Sequence, residues 1–122
     1  MRILVTGAAG FVGSHLCEKL ANLGHEVIGL DSFTDYYDRA LKERNAEDVR
    51  RAGAYFVEAD LCTDNLARFV EHADAICHLA AQAGVRYSLT HPFAYQKSNL
   101  EGFLNVIEMA RQAKVENFVF AS

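Results

Sequence analysis

Gly7, Gly10 and Gly13 recur at every third position within Val5-Thr6-Gly7-Ala8-Ala9-Gly10-Phe11-Val12-Gly13, and glycines so spaced can cradle a phosphate. Gly7 can take the dihedrals of a tight turn, Gly10 lets the main chain approach a pyrophosphate, and Gly13 lets a helix and a strand pack closely. Ahead of them Ile3-Leu4-Val5 reads as a strand, and behind them Val12, Leu16, Leu20 and Leu23 fall at helical spacing. The helix thus opens at the glycines, where free N–H groups and the positive end of its dipole would meet a bound anion. The spacing is G-x-x-G-x-x-G rather than the commoner G-x-G-x-x-G. Alone, it also suits a plain strand-to-helix turn with small packing residues.

A second apolar run, Val27-Ile28-Gly29-Leu30, ends in Asp31, about 20 residues past the glycines, where dinucleotide sites place an acid against the adenosine ribose. A carboxylate there accepts hydrogen bonds from the ribose 2′-OH and repels a 2′-phosphate. No Lys or Arg follows within Ser32-Phe33-Thr34 to neutralise such a phosphate. The expected cofactor is therefore NAD rather than NADP, with Ser32 beside Asp31 in its site.

The elements that would position these residues alternate strand with helix, which argues for a parallel sheet covered on both faces. After Asp31 comes a polar and aromatic loop; residues 39–51 then look helical and stop at Gly53. Residues 54–57 are an expected third strand, with Asp60 just past its end, and 64–71 a short helix. Residues 75–79 read as a fourth strand leading into the small-residue run Ala80-Ala81-Gln82-Ala83-Gly84. Pro92 suits the first turn of a helix that should reach Lys114, with Leu100, Phe103, Leu104 and Ile107 on one face. Residues 118–121 make the fifth strand.

The expected fold is α/β, a Rossmann-type doubly wound parallel sheet of five strands in the order 3-2-1-4-5, with right-handed crossovers. Its crevice should lie at the carboxyl ends of strands one and four. Residues 1–122 would form the N-terminal part of a dinucleotide-binding domain. Because Ser122 follows an apolar strand directly, truncation after the fifth strand is expected, with the substrate-binding C-terminal region absent.

Composition narrows the partners. A formal net charge of −4 over 122 residues, with no dense basic cluster, argues against nucleic acid, and Arg50-Arg51 reads as a solvated helix end. No apolar stretch exceeds strand length, which argues against a membrane span, and the first strand begins too early for a signal peptide. Cys17, Cys62 and Cys77 are odd in number and widely spaced, and read as reduced, mostly buried thiols of a cytoplasmic protein. His15, His25, His72, His78 and His91 lack metal-ligand spacing, so no metal is expected. His78 reads as a satisfied core or supporting residue near the crevice.

Thr6-Gly7-Ala8-Ala9-Gly10-Phe11-Val12-Gly13-Ser14-His15-Leu16, Asp31, Asp60 and the Ala80-Ala81-Gln82 turn together resemble the extended short-chain dehydrogenase family. Within it they look most like the NAD-dependent nucleotide-sugar epimerases and dehydratases. Asp31-Ser32-Phe33-Thr34-Asp35-Tyr36-Tyr37-Asp38, paired with Ala81-Gln82-Ala83-Gly84-Val85-Arg86-Tyr87-Ser88, is similar to the branch that epimerises UDP-glucuronate at C4. The resemblance covers the whole chain but only the opening part of a typical member.

That resemblance implies that Gly7, Gly10, Phe11 and Val12 lie against the pyrophosphate and that Asp31 holds the adenosine ribose. Asp60 and Leu61 would flank the adenine, and Leu79, Ala80, Ala81 and Gln82 would line the path to the nicotinamide ribose. Asn99 would brace this region from the long helix. Arg86 and Tyr87 would meet a uronate carboxylate or a sugar diphosphate. Plainer roles stay open: Asp60 as a turn cap, Asn99 as a helix polar group bonded to backbone, Arg86 as a solvated arginine. A UDP-sugar substrate for the full-length protein, and a homodimer built with the helix after Pro92, are also implied.

The family's chemistry uses a tyrosine base, a lysine four residues later that lowers its pKa, and a nearby Ser or Thr. Together they take a hydroxyl proton while hydride passes to NAD, giving a transient 4-keto sugar. None of Tyr36, Tyr37, Tyr55, Tyr87 and Tyr95 has a lysine four residues on. No catalytic residue is therefore expected here, and the chain alone should be an inactive NAD-binding portion of such an epimerase. A 4,6-dehydratase or reductase fragment, or a non-catalytic NAD-binding module, are the alternatives. A bare fifth-strand edge would favour self-association, and NAD should bind more weakly than to a full-length enzyme.

Overall fold

The computed structural model describes residues 1–33, 38–81 and 85–121. Strands β1 (Arg2–Thr6), β2 (Glu26–Asp31), β3 (Tyr55–Glu58), β4 (Ala75–His78) and β5 (Asn117–Phe120) form one sheet in the order β3-β2-β1-β4-β5. Every pairing is parallel. This is the doubly wound Rossmann-type arrangement anticipated from the alternation of elements. β1 is central, and its unbroken apolar run follows from that place: Ile3, Leu4 and Val5 are all buried because both faces of the sheet are covered. Register sets Thr6 beside Leu30 on one side and His78 on the other. Chain order reverses at β1, so the crevice opens between the carboxyl ends of β1 and β4.

The pleat sorts side chains into two cores. Ile3, Val5 and Val27 pack with Cys17 of α1 (Phe11–Asn22) and Val49 of α2 (Arg39–Arg51). Leu4, Leu30 and Ile76 pack with Val70 of α3 (Ala67–Val70) and with Val106 and Ala110 of α6 (Gly102–Gln112). α2 is highly charged and buries a single stripe, Lys42, Ala46 and Val49. Its start is set by Asp38, whose carboxylate accepts the Ala40 N–H at 3.0 Å.

Two elements depart from the sequence reading. Val85–Thr90 forms a short helix, α4, where only a loop toward Pro92 was expected. The helix after Pro92 is also not uniform: α5 (Pro92–Tyr95) passes through a π turn at Gln96–Glu101 before α6 begins. A π turn holds one extra residue and rotates the succeeding helix by about 100°. The expected inward face is accordingly corrected. Leu100 and Leu104 are 66% and 62% exposed, and Phe103 and Ile107 only half-buried, while Gly102, Val106 and Ala110 lie against the sheet.

Candidate functional site

A tight turn joins β1 to α1. Gly7 has φ of +72°, and a Cβ there would stand 2.8 Å from the Ala80 nitrogen, so the loop rests directly on the backbone beyond β4. A Cβ on Gly13 would collide with the Gly7 carbonyl oxygen. Neither position admits a side chain without movement. Gly10 caps α1 in extended conformation and offers no side-chain acceptor. The N–H groups of Phe11, Val12 and Gly13 therefore have no acceptor within the helix and stand at its positive end. That is an anion site made of main chain.

Asp31 closes the next side. It is 8% exposed; one carboxylate oxygen accepts the Ala9 N–H at 3.0 Å, and the other accepts the Phe33 N–H at 2.9 Å. The Lys42 ammonium lies 3.5 Å from that second oxygen. From α2, Asn45 Nδ2 donates to the Ala9 carbonyl at 2.9 Å, so both polar groups of Ala9 are held. Lys42 and Asn45 were missed in the sequence. Lys42 had a signal, since a helical wheel over residues 39–51 sets it on the stripe of Ala46 and Val49.

The opposite wall hangs on Thr6. Its hydroxyl oxygen accepts the Leu79 and Ala80 N–H groups, each at 3.1 Å, which leaves its own proton for His78 Nδ1 at 2.8 Å. His78 is thereby assigned as neutral, with its proton on Nε2. Burial pulls its pKa below the ordinary value, in agreement with that assignment. Its ring packs between Phe103 and Phe118, so the reading of a satisfied supporting residue holds.

At the third side Asp60 accepts the Cys62 N–H at 2.8 Å and donates its own N–H to Asp64 at 2.7 Å, so it does cap its turn. Asn105 fixes the Leu61 carbonyl at 3.0 Å, a contact with no signature in the sequence. The Cys62 thiol is pushed up chiefly by burial and then by the Asp60 carboxylate.

These walls enclose a cleft of about 400 Å³, a size suited to a small organic ligand. Gly7, Gly10, Phe11, Val12, Gly13, Asp31, Ser32, Asp60, Leu61, Leu79, Ala80 and Ala81 all line it, as do Lys42, Cys62, Ser98 and Gly102. Asn99 is half-buried in the π turn, and the cleft is met from that segment by Ser98 instead. Arg86 is exposed on α4 and does not line the cleft. Gln82 and the Tyr87 side chain lie outside the described residues. The donor set fits a dinucleotide: free amides for a pyrophosphate, a carboxylate for a ribose, and small residues where a flat ring would lie on backbone. Among the described residues no cluster of His, Cys, Asp and Glu could hold a metal, and no helix is long and apolar enough to cross a membrane.

Comparison with known proteins agrees with this geometry. The profile of the NAD dependent epimerase/dehydratase family matches residues 3–122. Protein CapI of Staphylococcus aureus is 45% identical over 125 residues, covering 100% of this chain and 37% of CapI. A probable UDP-glucuronate 4-epimerase of Rhizobium meliloti is 43% identical over 126 residues, covering 100% of this chain and 37% of its own length. The crystal structure of UDP-glucuronic acid 4-epimerase from Bacillus cereus, in complex with UDP-glucuronic acid and NAD, is similar with a TM-score of 0.90 and 34% identity. That match covers 98% of this chain and 39% of the Bacillus one. The chain thus spans well under half the length of the relatives it matches.

Proposed function

The chain belongs to the NAD dependent epimerase/dehydratase family, and from that premise we propose that it is the NAD-holding portion of an epimerase that inverts C4 of UDP-glucuronate. The observation that carries this is the three-sided cleft, in which main-chain donors, a buried carboxylate and small residues meet. Gly7, Gly10 and the amides of Phe11, Val12 and Gly13 receive the pyrophosphate. Asp31, with Ser32, takes the adenosine ribose hydroxyls. Asp60 and Leu61 flank the adenine; Asp60 gives one oxygen to Cys62, and the other can accept from the exocyclic amine. Leu79, Ala80, Ala81 and Gln82 border the nicotinamide ribose, and Asn99 braces them from the π turn.

Bound NAD supplies an acceptor and then a donor of hydride at the sugar carbon. Passage through a 4-keto sugar is what allows that carbon to invert. The sugar assignment is supported by the names of the Rhizobium and Bacillus relatives, and Arg86 and Tyr87 offer a cation and a phenol for the uronate. With no tyrosine followed by lysine four residues on, this stretch holds the cofactor without itself moving the hydroxyl proton. The exposed side chains of Leu89, Phe93, Leu100 and Leu104 support a homodimer, and three free thiols support a cytoplasmic setting.

Titration calorimetry with NAD tests the site: heat of binding is expected, and none up to millimolar NAD overturns the reading. Proton NMR of UDP-glucuronate, with protein from the complete reading frame, should show the C4 epimer accumulate. Turnover of UDP-glucose alone, to a 4-keto-6-deoxy product, would favour a dehydratase instead.

A further inference from the structure

The Thr6 hydroxyl sits in a hydrogen-bond relay that has no free position left. It is fully buried; its oxygen accepts the Leu79 and Ala80 N–H groups, and its proton goes to His78 Nδ1. A hydroxyl offers one donor and two acceptor positions, so all three are in use. The two amides do not depend on it equally. Leu79 N–H also has the Thr6 main-chain carbonyl at 3.3 Å, whereas Ala80 N–H has no second acceptor among the described residues. Ala80 in turn lines the cleft and supports the glycine loop, since a Cβ on Gly7 would stand 2.8 Å from its nitrogen.

A proton added to His78 reverses this relay. With both ring nitrogens protonated, Nδ1 becomes a donor and aims a third N–H at the Thr6 oxygen. Three donors then compete for two acceptor positions, and the hydroxyl proton loses its own acceptor. Among the described residues, Thr6 from β1, Phe103 from α6 and Phe118 from β5 meet the ring, and Phe120 of β5 is its register partner. None of them titrates or carries a charge that could take up the change. Burial accounts for the lowered pKa of the ring, in keeping with those surroundings.

We propose that His78 is a positioning residue for the cofactor, and that a proton on Nδ1 and NAD in the cleft exclude one another. The proposal rests on the NAD reading given above. With the ring neutral, Thr6 holds Ala80 where the glycine loop leans on it and the pyrophosphate is received. With the ring charged, Thr6 gives up an amide and the support beneath Gly7 shifts. The coupling is reciprocal, so bound NAD makes His78 harder to protonate. A histidine with a merely structural role would make stability depend on pH and leave the affinity of the folded protein alone.

The test is NAD affinity by titration calorimetry from about pH 7.5 to about pH 5, on folded protein carrying this sequence, as wild type and His78→Asn. The His78 ring is followed by NMR over the same range, with and without saturating NAD. Asn does not titrate, and its Oδ1 takes the place of Nδ1 as the acceptor. Wild-type affinity should fall about tenfold for each pH unit below the His78 midpoint, while the His78→Asn profile stays flat. NAD should lower the His78 midpoint by at least about one pH unit. An equal fall in both proteins, or none in wild type, overturns the proposal. If His78→Asn does not fold, the NMR titration of wild type decides, and one midpoint shared by the free and bound states overturns the idea. A ring that stays neutral until the free protein unfolds overturns it too, since no proton then competes with the cofactor. Wild type that binds no NAD at the upper end of the range removes the underlying reading as well, whereas binding without pH linkage removes this proposal alone.

Discussion

A methyl group on Gly13 has nowhere to go, because the Gly7 carbonyl already occupies its place. Gly13→Ala is expected to cost about 1–3 kcal/mol, the usual penalty of overpacking, with loss of NAD binding as the loop shifts. Urea melts and calorimetry on one sample read both. His78 makes a different prediction. The folded ring resists protonation because burial opposes its charge, and the Thr6 hydroxyl donates to Nδ1. The unfolded chain takes that proton near the ordinary histidine value of about 6.5. Stability from the neutral ring is therefore whole above that pH and lost as pH falls below it, toward the depressed folded value. The melting temperature should drop between about pH 7 and about pH 5 more steeply in wild type than in His78→Gln. Equal slopes would remove His78 from the account.

On the scale of elements, the π turn decides which way α6 faces. Val106→Ala should cost about 2 kcal/mol through lost burial and a cavity, whereas Leu104→Ala should stay within about 0.5 kcal/mol of wild type. The reverse ranking would show that the uniform helix drawn from the sequence was right. Legibility in the sequence divides along physical lines. The bounds of α2 were legible because good helix formers fill it and Gly53 follows it; the Asp38 cap was seen only in the structure. β1, β2 and β4 announced themselves as short apolar runs, and their order followed from alternation with helices. The π turn had no signature, since Gln96–Glu101 contains no residue type that demands it. α4 was hidden behind small residues that read as a loop. Asn45 and Asn105 were hidden for another reason: their bonds reach backbone 36 and 44 residues away, which no local pattern encodes.

Across the whole molecule, the exposed side chains of Leu89, Phe93, Leu100 and Leu104 give α4 to α6 an apolar outer surface. Sedimentation should show a dimer that Leu104→Glu converts to monomer with little change in melting temperature; a monomeric wild type at high concentration would refute it. The cleft has a further property set by connectivity. Thr6 holds backbone 73 and 74 residues further along the chain, and the Gly7 loop rests on the same stretch. During synthesis the glycine loop is complete long before the surface it leans on has left the ribosome. The cofactor can then do nothing for a nascent chain until Ala80 has emerged and β4 has docked beside β1. From that moment NAD can act by mass action on chains in which β4 has docked. Its abundance in the cell would then prolong the life of chains that have passed that point, and leave earlier ones to proteolysis.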